Sequence, residues 1–170
     1  RIANGCVVRD GFLEKIGLPR TLLPLLQIVE YLRAFLFGRM GWAPLNAVLI
    51  ISGAFGVFRK EAVISAGGYR HDTVGEDMEL VVRLHRELPR RGEPCRVEFI
   101  PDTVCWTEAP STWRALWRQR NRWQRGLGQT LRRHAALLFS PRHGVIGLVA
   151  VPYFWLVEFA SPLVETAGTL

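Results

Sequence analysis

The chain is 170 residues long, 49% hydrophobic, and carries a formal net charge of +7. Length and apolar content suffice for one domain with its own core, and the three scattered cysteines (Cys6, Cys95, Cys105) show neither Cys-x-x-Cys nor Cys/His ligand spacing, which argues against a disulfide framework or a zinc site. The charge is almost all arginine, because Lys15 and Lys60 are the only lysines, and it points to anionic partners: phospholipid headgroups, nucleotide phosphates or nucleic acid.

The opening Ile2-Ala3-Asn4-Gly5-Cys6-Val7-Val8 has none of the charged-then-apolar layout of a signal peptide and reads as part of a longer chain. From Thr21 to Phe37 the apolar residues nearly encircle a helix axis, leaving Gln27, Glu30 and Tyr31 as one narrow polar stripe. Val48 to Ile51 and Phe55 to Phe58 read as strands broken by Ser52-Gly53-Ala54. Lys60 to Ala66 reads as a short helix stopped by Gly67-Gly68, and a turn over His71 to Gly75 leads into a helix from Glu76 to Leu88. Strands are expected over Arg96 to Ile100 and Thr103 to Trp106, followed by a long helix from a Ser111 cap to Leu138 that Gly126 and Gly128 bend or break.

Gly144 to Val164 is apolar apart from Glu158 and long enough to cross a bilayer, for which about 20 such residues are needed. Arg132, Arg133, His134 and Arg142 just before it place the preceding domain on the cytoplasmic side, where reduced thiols are also at home. These signals divide the chain into residues 1–110, an amphipathic interfacial helix over 111–142 and a transmembrane segment over 143–170.

Two constellations are able to carry chemistry. Gly75-Glu76-Asp77 sets two carboxylates at a loop-to-helix junction, where acids also favour the helix dipole whatever their function; sugar transfer to a hydroxyl needs such a carboxylate to take the proton. In Gln119-Arg120-Asn121-Arg122-Trp123, Gln119, Arg122 and Trp123 are three and four residues apart, so a carboxamide, a guanidinium and an indole are expected on one helix face. Such a face suits a nucleotide sugar, and it equally suits a basic, aromatic anchor on lipid headgroups. A polar stripe at Gln27, Glu30 and Tyr31 reads as packing, and Glu108 reads as structural more readily than as a second carboxylate near a cleft. The four histidines lie in separate elements, which argues against a shared metal.

Ser52-Gly53-Ala54 after an apolar run, then Glu76-Asp77, then Gln119 to Trp123 and a hydrophobic segment form an ordered set that resembles the family-2 glycosyltransferases, in particular processive membrane synthases of cellulose, chitin, hyaluronan and poly-N-acetylglucosamine type. The resemblance implies an α/β fold, the acceptor-side part of a GT-A-like domain followed by an interfacial and a transmembrane helix. It implies Asp77 as catalytic base beside Glu76, with Gln119, Arg122 and Trp123 on donor diphosphate and acceptor, and Ser52, Gly53 and Ala54 beside the acceptor. It also implies a nucleotide-sugar donor, a glycan or lipid-linked acceptor and contact with membrane lipid, but no nucleic acid. Mg²⁺ or Mn²⁺ would be held mainly by an Asp-x-Asp motif of the family's amino-terminal half, a motif that this sequence lacks, so the chain alone is expected to be inactive. The rival reading is a non-catalytic, basic, membrane-associated binding protein; it explains the charge and the tryptophans but not the order of the motifs.

Overall fold

A computed structural model describes residues 19–53, 55–102 and 109–160, together with the backbone of three short strands nearer the amino terminus. The expected strand from Thr103 to Trp106, Glu108, Ala54 and the end of the expected transmembrane segment lie outside the described residues. The three strands, β1 (Ile2–Ala3), β2 (Cys6–Arg9) and β3 (Phe12–Lys15), form an antiparallel sheet in chain order, with Val7 opposite Glu14 and Arg9 opposite Phe12. Sequence reading passed over this sheet, although Asp10-Gly11 between β-prone runs is a strong hairpin signal.

The helices follow the expected order. One continuous rod comprises α1 (Leu22–Tyr31), a π-helical stretch over Leu32–Phe37, and α2 (Gly38–Trp42), so it extends beyond the expected end at Phe37. The short α3 (Lys60–Ser65) stops where Gly67 and Gly68 take positive φ, as its sequence requires. Next come α4 (Glu76–Arg90) and α5 (Trp113–Arg133). The side chain of Thr112, one residue after the expected Ser111, caps α5 by accepting a hydrogen bond from the Ala115 amide at 3.3 Å. A last helical run passes from π-helical Ile146–Ala150 through α6 (Val151–Tyr153) to π-helical Phe154–Phe159.

Helix α4 is the axis of the domain, because every residue from Met78 to Leu84 is buried. On one side Met78 and Val82 meet Ala47, Leu49, Leu131, Leu137, Ile146, Ala150, Val151 and Phe154; on the other Leu80, Leu84 and Leu88 meet Phe58, Val63 and Cys95. Such side chains each contribute about 1.5–3 kcal/mol when fully removed from water.

Several expectations need correction. Among the described residues, 48–51, 55–58 and 96–100 form no strand ladder with one another, and only an isolated bridge links Ser52 and Phe55. A side chain stands in for the ladder: Asn46 donates to the Cys95 carbonyl at 2.7 Å and accepts from the Val97 amide at 3.0 Å. Gly126 and Gly128 lie inside an unbroken α5, while that helix ends at Arg133 rather than Leu138. No helix among the described residues is long and apolar enough to cross a membrane. In the apolar run after Gly144, Ile146, Ala150, Val151 and Phe154 face the core, and the end of that run lies outside the described residues.

A buried polar network joins α4 to the end of α5. The fully buried Glu79 carboxylate accepts hydrogen bonds from Arg83 Nη2 at 2.9 Å and Nε at 3.2 Å, and lies 3.2 Å from His134 Nε2. Burial, reinforced by the Arg86 charge, pushes the His134 imidazole down to about 4, against the pull of Glu79. The unfolded chain therefore binds a proton at His134 that the folded chain refuses between about pH 6.5 and about pH 4, so this contribution to stability is lost as pH falls through that window. The expected loss is on the order of 3 kcal/mol in denaturant midpoint experiments. His134→Gln, which keeps a donor toward Glu79 and does not titrate, is expected to remove this part of the pH dependence.

Candidate active site

Asp77 lies in the first turn of α4 and its Oδ1 accepts a hydrogen bond from the Met78 amide at 2.7 Å. Facing it is the turn after Ile51, so close that a Cβ placed on Gly53 would sit 3.0 Å from Asp77 Oδ2. A glycine here leaves the carboxylate space that any other residue would contest. Asp77, Glu76, Ser52, Gly53, Phe58 and Tyr69 line a cleft of about 270 Å³. Tyr69 packs edge-on against Phe58 with ring centres 6.3 Å apart. Burial pushes the Asp77 carboxyl above the ordinary carboxylate range; the Met78 hydrogen bond opposes this, the neighbouring Glu76 charge adds to it, and the Arg39 charge opposes it. A half-buried carboxylate raised in this way is suited to accept a proton near neutral pH.

The motif on α5 divides between two surfaces. Gln119 and Trp123 face α1: Tyr31 donates its hydroxyl to Gln119 Oε1 at 3.0 Å, and Trp123 packs near Tyr31 and Phe35 with centroids 6.1 and 5.8 Å away. Arg120, not singled out from the sequence, forms a two-pronged pair with Glu30 at 2.6 Å and lies 4.8 Å over the Trp123 ring. The polar stripe of α1 is thus the seam with α5, completed by Gln27, which donates to the Pro110 carbonyl at 2.8 Å. Arg122, expected on the same face as Gln119 and Trp123, is exposed and lines a second cleft of about 330 Å³ with Val74, Trp117, Arg118, Asn121 and Arg125. Successive helical residues are about 100° apart, so neighbours such as Arg122 and Trp123 separate once α1 covers one side of α5.

The loop from Thr73 to Gly75 joins the two clefts and is fastened directly to α5. Gln129 Oε1 accepts from the Val74 amide at 3.0 Å and from the Thr73 hydroxyl at 3.1 Å. The Gly75 and Gly126 backbones touch: a Cβ on Gly126 would lie 2.9 Å from Gly75 N and 3.0 Å from Gly75 Cα. Tyr69, Phe58, Arg39 and Gln129 went unrecognised in the sequence, because nothing in their local spacing ties them to Asp77. Gly126 and Gly128 did carry a signal, which suggested a break in α5 rather than the contact that Gly126 makes with Gly75. Among the described residues no group of three or more His, Cys, Asp or Glu could hold a metal ion.

A half-buried carboxylate thus stands in a polar cleft, joined by a short loop to an arginine-lined groove. The family described as "Glycosyl transferase family group 2" matches residues 27–167, and the chain belongs to this family. Its relatives include the poly-beta-1,6-N-acetyl-D-glucosamine synthase of Staphylococcus aureus (strain COL), 35% identical over 115 residues that cover 66% of this chain and 26% of the synthase. A probable glycosyltransferase of Bacillus subtilis (strain 168), YdaM, is 28% identical over 122 residues, covering 72% of this chain and 27% of that protein. The chain thus spans about a quarter of the length of these curated relatives. No solved structure matches it significantly.

Gly126→Ala is expected to force α5 away from Gly75, lowering stability by about 1–3 kcal/mol and transfer by at least about tenfold. Thermal melting and initial rates of the full-length protein check both effects; an alanine that leaves both unchanged would mean that the loop yields without moving Asp77.

Proposed function

We propose that the chain forms the acceptor-side part of an inverting glycosyltransferase that moves a sugar from a nucleotide sugar, a UDP-hexose or UDP-N-acetylhexosamine, to a glycan or lipid-linked acceptor. The observation that carries this reading is the Asp77 carboxylate, raised by burial and held against Gly53 in a cleft open to a substrate. In one displacement, the acceptor oxygen forms a bond to the anomeric carbon, the bond from that carbon to the diphosphate breaks, and the acceptor proton passes to Asp77. Glu76 and Ser52 line the same cleft and are positioned to orient acceptor hydroxyls.

Arg122, exposed beside Arg118 and Arg125, supplies positive charge for the departing diphosphate. Gln119 and Trp123, packed on α1, take part chiefly by holding the seam behind the groove. A divalent cation, Mg²⁺ or Mn²⁺, belongs to the proposed reaction with ligands other than the described residues; when bound, it neutralises diphosphate charge. A membrane surface as the working location is supported by Trp113 and Trp117, 74% and 67% exposed among arginines, and by exposed Leu22, Leu26 and Val29 on α1; its cytoplasmic side rests on Arg132, Arg133 and Arg142 before the apolar run. A transmembrane segment and processive synthesis of a polysaccharide belong to the same proposal.

UDP release by the full-length protein in membranes, with a panel of UDP-sugars, tests the reaction. Asp77→Asn is expected to cut transfer by about 10³-fold while donor binding is kept, and retained transfer would refute the base assignment. Arg122→Ala is expected to raise the donor KM several-fold. Because the base works only when deprotonated, kcat/KM should fall on the acid side with a midpoint above the ordinary 3.8 of an aspartate.

A further inference from the structure

We propose that Glu79 is a positioning residue for the Asp77 cleft, a single buried carboxylate that fixes the cleft's Tyr69 wall and α5 to the helix carrying Asp77. The inference rests on the transferase reading and concerns residues that do not line the cleft.

Glu79 is 0% exposed and sits two positions after Asp77 on the same helical turn. Its carboxylate receives Arg83 from α4 itself, His134 from the end of α5 and, at 3.5 Å, Arg70 from the connector between α3 and α4. Arg83 extends the tie, donating from Nη2 to the Gly68 carbonyl at 2.6 Å and from Nη1 to the Ala66 carbonyl. The connector is held again at Asp72, which pairs with Arg133 of α5 at 2.8 Å. Between these anchors stands Tyr69, whose ring closes one wall of the Asp77 cleft against Phe58. Gly67, at φ +91°, passes near Arg83 Nη1, which would lie 3.4 Å from a Cβ placed there.

The arrangement is costly as a stabilising device, since buried ion pairs gain little over packed apolar side chains. Its distinctive property is geometric. A planar guanidinium with hydrogen bonds to one carboxylate and two carbonyls fixes both distance and angle between α4 and the connector, which an apolar contact does not. Each carboxylate in the network meets two guanidiniums, Glu79 those of Arg70 and Arg83 and Asp72 those of Arg70 and Arg133. His134 contributes a neutral donor.

The test uses the full-length protein in membranes and four variants: Glu79→Gln, Arg70→Gln, His134→Leu and His134→Gln. Glu79→Gln and His134→Leu are expected to lower kcat by about 10–100-fold with the nucleotide-sugar KM within about twofold, whereas His134→Gln stays within about threefold of the parent rate. Arg70→Gln, at the half-exposed end of the network, gives a smaller loss of the same kind and serves if Glu79→Gln fails to accumulate. A second readout needs no turnover: carbodiimide labelling of Asp77, resolved from Glu76 by mass spectrometry, should accelerate about fivefold in the impaired variants as the cleft loosens. Alkylation of half-buried Cys95, whose thiol burial pushes up to about 11, should stay as slow as in the parent and so reports an intact core.

Unchanged kcat and Asp77 labelling overturn the proposal, as do losses that rise only in step with Cys95 alkylation. Transfer that survives in Asp77→Asn would instead sink the base assignment, while the labelling result on the cleft would still stand.

Discussion

Two backbones in direct contact govern this structure. Gly75, the residue before the catalytic-base candidate, and Gly126, in the middle of the arginine-rich helix, approach so closely that neither tolerates a Cβ without displacement. Because the contact lies between main chains, it has no rotamers to relax and fixes the start of α4 on α5 more rigidly than side-chain packing would. Gln129 secures the same loop through its carboxamide, one turn along α5. Glu76 and Asp77 line one cleft and Val74 the Arg122 groove, so the spacing of the two clefts depends on the glycine pair at this junction.

The helices were legible in the sequence and the extended segments were not. Helix α4 shows its buried faces in the spacing of Met78, Val81, Leu84 and Leu88, and its start in Gly75 followed by acids. Val48 to Ile51 has equally strong strand composition, yet composition reports the wish to be buried and extended, and a ladder also needs a neighbouring backbone. Here Asn46 supplies hydrogen bonds to residues 95–97 in place of such a neighbour. The hydrophobic stretch after Gly144 illustrates the same ambiguity, because its Ile146, Ala150 and Phe154 face Met78 and Leu131 in the core.

The candidate site was half legible. Asp77 and Gly53 could be named because their motifs occur in an order that resembles the glycosyltransferases, and the fold brings them together across residues distant in sequence. Periodicity put Gln119, Arg122 and Trp123 on one face, but only the position of α1 decides which of them stays in solvent. Glu79, Arg83 and His134 carried no sequence signal, since charged residues on a helix normally read as a solvated face. Their burial depends on three elements meeting at one point, which no local window contains.

The π-helical stretches have a consequence for how this chain tolerates change in length. A π turn holds more residues than an α turn, so the Leu32–Phe37 segment stores surplus chain within an otherwise continuous rod. Removing one residue there would tighten a wide turn and leave Glu30 and Arg39 close to their present bearings. The same deletion within α5 would rotate everything beyond it by about 100°. Length variation is therefore absorbed by the rod at the edge of the domain and refused by the helix that the glycine contact holds in place.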